Sequence, residues 1–183
     1  MLDICTNFKI NEEEYEMLDK QFGKLTWHAA HELKKKNTRN NHTDDVEDIK
    51  QELQISMIRA GSYYKRQVYI EKCLEAAVKF TKDPFVLQMV RELESLWMNR
   101  TRHGANKQKY GPYQEHLLEI IVNNYVPKDF IPNRNAPLNI DTKFATYCKA
   151  IVWNGQKNMG KKITREKTIR SGMVSLSEFN HMA

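Results

Sequence analysis

The segment "DDVEDIKQELQISMIRA", Asp44 to Ala60, is an acidic helical stretch in a chain of net charge +6. With Asp48 at zero and about 100° per residue, Val46, Ile49, Leu53, Met57 and Ala60 fall between roughly 100° and 180°. Such a compact stripe is the core-facing side of an amphipathic helix. Asp48, Gln51, Glu52, Ile55 and Arg59 fall within about 60° of zero, on the opposite side. The plain reading of a charged face is solvation. Ile55 argues against it, since a solvated face has no use for an isoleucine at its centre. An apolar residue ringed by Asp, Gln, Glu and Arg suits a small docking surface for another protein.

Working outward, nearly every segment reads as helix. Residues 11–36 carry Tyr15, Leu18, Phe22, Leu25, Ala29 and Leu33 at the spacing of one helix face. The polar run "KKKNTRNNHT" is expected to end that helix, and the next should open near Thr43 and close at Gly61. A third helix is expected through "VYIEKCLEAAVKF". Asp83-Pro84 reads as an N-cap followed by a first-turn proline, starting a fourth. After the basic stretch "NRTRHGANKQKYG" comes a fifth, around "YQEHLLEIIVNNY". Residues 126–139 hold three of the five prolines and should be extended. A last helix is expected from about Asp141 to Lys162, followed by a basic tail. The class is all-α.

The 183 residues, 40% hydrophobic and 28% charged, suit a soluble protein able to bury a real core. No apolar run approaches a membrane span and no signal-peptide pattern is seen, so a cytoplasmic setting with no membrane partner is expected. Cys5, Cys73 and Cys148 lie far apart with no CxxC, which argues against a disulfide framework or a cysteine zinc site. His28 and His31 could together touch a metal, but no carboxylate or cysteine stands at ligand spacing. No nucleophile elbow, P-loop, HExxH or dinucleotide fingerprint is present. No enzymatic activity, metal or cofactor is therefore expected.

The final helix has a second informative wheel. With Phe144 at zero, Tyr147, Cys148, Ile151, Val152, Gly155 and Met159 occupy an arc from about −60° to 80°, the expected buried side. Trp153 falls near 180°, with Lys149 and Lys157 about 40° to either side. A tryptophan flanked by lysines suits stacking on an unpaired base while the amines neutralise phosphate. The competing reading is that Trp153 packs against another helix. Farther on, Lys157, Lys161, Lys162, Arg165, Lys167 and Arg170 face a single acid, Glu166. That density fits salt-sensitive contact with nucleic acid, and fits a merely solubilising tail as well.

Two of these segments resemble the bacterial RNA polymerase sigma factors. "DVEDIKQELQISMIRA" is similar to that family's polymerase-binding helix, with Asp45, Glu47, Asp48, Ile49, Gln51, Glu52, Arg59 and Ala60 in register. "QFGKLTWHAAHEL" is similar to the amphipathic helix before it. Phe144, Tyr147, Ile151 and Asn154 follow the promoter-helix pattern of the small, extracytoplasmic-type members, and "VSLSE" is like their linker. The resemblance implies that Asp48, Gln51 and Glu52 contact a basic coiled coil on the polymerase's largest subunit, and Asp45, Ile55 and Arg59 beside them are expected to join that contact. It further implies that Tyr147, Asn154 and Asn158 read flipped bases of a −10-like promoter element while Lys157, Lys161 and Lys162 hold the strand. Trp153 comes from the wheel alone. The tryptophan pair of housekeeping members aligns with Ala150 and Ile151, so that melting wedge is missing.

The resemblance covers residues 12–61 and 141–178. The family joins these blocks by a short connection, so either the residues between are an insertion or the promoter helix lies elsewhere. Gln67–Phe80 sits at the usual spacing and carries Tyr69, but it is poor in cations; charge favours the later helix. The organisation expected is 1–64 with its polymerase-binding helix at 43–61, a helical insertion over 65–139, and a promoter-helix segment with basic tail over 140–183. About twenty residues follow Lys162, too few for the family's helix-turn-helix domain, as in the short phage late sigma factors that rely on accessory activators. The function expected is a transcription initiation factor binding core polymerase and promoter DNA. A polymerase-independent nucleic-acid-binding regulator is the alternative. A nuclease holding magnesium on Asp45, Glu47 and Asp48 is disfavoured because 45 and 47 point to different sides of a helix.

Overall fold

The computed structural model describes residues 8–37, 45–99 and 110–180. Among them the chain is all-α: α1 (Glu12–Asn37), α2 (Val46–Phe80), α3 (Pro84–Met98), α4 (Pro112–Tyr125) and α5 (Thr142–Asn180), with one 3-10 turn at Lys128–Phe130. The chain divides into two compact units, one of residues 10–61 with 138–183 and one of residues 1–9 with 62–137.

The first unit has α1 and α5 side by side and running in the same direction. Phe22 meets Phe144 edge-on at 6.0 Å, the Ala29 carbonyl accepts from Gln156, and Leu33 lies against Gly160. Ala29, Ala30 and Leu33 of α1 join Ile49 and Leu53 of α2 and Val152 and Ile163 of α5 in one buried cluster. The small pair Ala29-Ala30 lets the helices approach closely, and Gly155 does the same against Leu53, where an added Cβ would stand 3.1 Å from Cδ2.

The starts of α1 and α5 are fastened by side chains. Asn11 caps α1, its Oδ1 accepting from the Glu14 amide at 2.8 Å, while Glu14 Oε2 accepts from the Asn11 amide at 2.9 Å. The other Glu14 oxygen accepts from the Leu138 amide at 2.7 Å, where the chain re-enters this unit. One buried carboxylate thus ties the start of α1 to a residue 124 positions later. Asp141 caps α5 through the Phe144 amide.

In the second unit the later part of α2 packs with α3 and α4 around Ile70, Leu74, Val90, Trp97, Leu118 and Val122. A buried ion pair joins Arg66 to Glu115, with Nη2 2.6 Å from Oε2. Asp83 caps α3 by accepting from Phe85 and Val86, with Pro84 in the first turn as expected. Residues 126–139 are extended apart from the 3-10 turn.

Two expectations require correction. Gly61 does not end its helix: α2 is continuous to Phe80, taking in the separate third helix. Gly61 has no left-handed φ; it is small because Ile10 Cδ1 would lie 2.9 Å from its Cβ. The expected opening near Thr43 lies outside the described residues, and α2 starts at Val46, whose amide donates to Asp45 Oδ1. Likewise, α5 does not stop at Lys162 but continues to Asn180, so the basic segment is helix rather than tail. Lysine and arginine are good helix formers, no proline intervenes, and Ile163 is buried in the core.

Replacing Glu14 by Ala should lower stability by about 1–3 kcal/mol by stranding two amides. Replacing the exposed Glu13 should change it by no more than about 0.5 kcal/mol. Urea denaturation midpoints of the two variants test this.

Candidate functional site

The site residues divide between an acidic face on α2 and a basic face on α5, both in the unit of residues 10–61 and 138–183. On α2 the apolar stripe packs inward, with Ile49, Leu53, Met57 and Ala60 buried. Asp45, Asp48, Gln51, Glu52 and Arg59 are all exposed, and Ile55 among them keeps 43% of its surface in water. On the flanks of this face, Lys50 pairs with Glu47 at 3.0 Å, and Gln54 donates to Asp19 of α1 at 2.9 Å. Those flanking contacts leave the central carboxylates turned outward around an apolar residue, an arrangement suited to a cationic protein surface.

On α5 the wheel is turned relative to expectation. The buried positions Phe144, Cys148, Val152, Gln156 and Ile163 span about 0° to 120°. Gln156 is the reason. Its amide donates to the Ala29 carbonyl at 2.8 Å, so a polar residue that composition assigns to solvent lies on the buried face. This rotation carries Trp153 away from solvent: it is half-buried against the core and meets His28 of α1 edge-on at 6.3 Å. The packing reading of Trp153 therefore holds over free exposure, with α1 as the partner.

The same rotation gathers the other residues. Asn154, Lys157, Asn158, Lys161, Lys162 and Arg165 are all exposed, within one arc of about 140° on the helix. Tyr147 is half-buried, and Lys149 is exposed but lies outside that arc. The Lys167 side chain lies outside the described residues. Between the end of α1 and the middle of α5 runs an open groove of about 580 Å³. Leu33, Gly160 and Thr164 line it together with Lys36, Lys157, Lys161 and Arg165, and no carboxylate does. Four cations over a partly apolar floor make a surface that attracts phosphate.

Sequence reasoning passed over Trp27. It is exposed on α1, its ring tilted on His31 with centroids 3.8 Å apart. An i, i+4 aromatic pair on the polar side of the first wheel was the available signal. His28 and His31 engage different tryptophans, and among the described residues no three His, Cys, Asp or Glu side chains are arranged to hold a metal.

No family model matches the sequence, and no curated protein or solved structure does. Among the described residues no helix is long and apolar enough to cross a membrane.

Cys73 and Cys148 are both buried, and burial pushes each thiol up to about 11. At pH 8 about one such thiol in a thousand is ionised, and a buried thiol is a poor nucleophile. Iodoacetamide should therefore alkylate both cysteines at least about a hundredfold more slowly in the folded chain than in denaturant. Mass spectrometry over a time course measures the ratio.

Proposed function

We propose that the chain is a sigma-like transcription initiation factor. The exposed face of α2 docks on a basic coiled coil of the core RNA polymerase. The exposed face of α5 engages a short −10-like promoter element, with Asn154 and Asn158 toward bases and Lys157, Lys161 and Lys162 on phosphates. Residues 62–137 are an insertion between the two functional helices.

The observation that carries this reading is the reunion of the two sigma-like stretches, far apart in sequence, in a single unit around one core. Asp48, Gln51 and Glu52 of α2 and Asn154, Asn158, Lys157, Lys161 and Lys162 of α5 face solvent, while the apolar face of each helix is used inside. The charge logic agrees. Polymerase docking calls for carboxylates and promoter contact calls for cations, and α2 and α5 carry these separately.

A polymerase-independent nucleic-acid-binding regulator is the second reading, favoured by the cation-lined groove beside α5. The two differ in what the acidic face does. Asp48→Lys combined with Glu52→Lys should abolish capture of core polymerase in a pull-down and abolish run-off transcription from the organism's own DNA. Unchanged capture by the double variant would overturn the docking role and leave the regulator.

A further inference from the structure

The acidic face of α2 and the cation-lined groove belong to helices fixed in one core. Ile49 and Leu53, on the far side of α2 from its carboxylates, are buried with Leu33, Val152 and Ile163. The acidic face therefore cannot turn to meet the cations of its own α5. A contact that pairs these two surfaces has to join two molecules.

The surfaces match in form as well as in sign. Asp45, Asp48 and Glu52 are exposed and lie within about 60° of one another, a row about 10 Å long at the start of α2. Lys157, Lys161 and Arg165 follow at one-turn intervals on α5, a row of about 12 Å along the groove. Ile55 extends the acidic row by one turn and is 43% exposed. For it the groove offers an apolar floor at Leu33 and Gly160, and Gly160 leaves space above Leu33 because it has no side chain. Lys36, on the opposite wall, lies 4.0 Å from Glu32, so the attraction rests mainly on α5. Phosphate alone would engage the cations and leave that floor unused; a ridge of carboxylates ending in an isoleucine uses both. Arg59, a cation on the same face of α2, opposes the contact.

We propose that the chain associates with itself head to tail, the acidic ridge of α2 in one copy seating in the α1–α5 groove of the next. Asp48 and Glu52 lie against Lys161 and Arg165, and Ile55 rests on the apolar floor. A contact between two unlike surfaces builds rings or open chains, so assembly grows with concentration. The association stands on charge and shape alone; that it withholds the α2 face from polymerase, and so regulates it, rests on the function proposed above.

The test is sedimentation velocity of the nuclease-treated full chain over about 1–200 µM, in about 50 mM and about 500 mM salt. At low salt the sedimentation coefficient should rise with concentration, and high salt should raise the apparent Kd at least about tenfold. Asp48→Lys with Glu52→Lys makes both surfaces basic, and Lys161→Glu with Arg165→Glu makes both acidic. Each double variant alone should be monomeric at low salt. Mixed one to one they should associate again, because each supplies what the other lacks. Ile55→Ser should weaken wild-type association about fivefold, and Arg59→Glu should tighten it.

A wild-type chain that stays monomeric at low salt would overturn the proposal. So would association that survives both charge reversals, a mixture of normally melting variants that stays monomeric, or association seen only before nuclease treatment. Should either double variant melt early, Arg59→Glu and the wild-type salt dependence decide: weaker association in Arg59→Glu, or none of the salt effect, overturns it. Lys161→Glu with Arg165→Glu leaves the α2 face intact and should still capture core polymerase, so failure of self-association and failure of the docking role are told apart.

Discussion

Close packing of α1 on α5 is the constraint from which the functional surfaces follow. Ala29 and Ala30 leave room for the approach, Phe22 and Phe144 meet at one end, and Gln156 anchors the register by donating to the Ala29 carbonyl. Because side chains leave a helix at about 100° intervals, anchoring one residue inward decides what every other residue on α5 faces. With Gln156 inside, Asn154, Asn158 and the lysines share an outer surface and Trp153 is drawn toward His28. The Glu14 carboxylate complements this contact by fastening Leu138 to the start of α1, so the chain returns in place after its long excursion.

Much of this was legible in the residues. The core stripe of α2 from Ile49 to Ala60, the Asp83-Pro84 start and the all-helical class follow from period and capping chemistry, which are local. What escaped was tertiary. Gly61 is a helix stop by composition, yet the contact with Ile10 makes it a packing glycine. Gln156 and Glu14 are polar by type and buried because each satisfies backbone groups contributed from far along the chain. Trp153 turns toward His28 for the same reason: a wheel built on one helix cannot show where its neighbour lies.

Charge is distributed with a purpose that composition alone conceals. The overall excess of cations would attract nucleic acid anywhere on the surface. Concentrating carboxylates around Ile55 on α2 disfavours phosphate there, as the proposed docking on a basic protein surface requires. The groove between α1 and α5 has the opposite character, with cations over Leu33 and Gly160 and no acid among its lining residues. The two faces of this one unit thus carry opposite charge.

The central claim is that Ile55 lies at the heart of an interface with RNA polymerase. Replacing it with the photoreactive residue benzoylphenylalanine and irradiating the chain with core polymerase addresses that contact itself. The account predicts a cross-link whose partner peptide maps to the basic coiled coil of the largest subunit. Cross-links confined to the chain itself, or to nucleic acid, would contradict it.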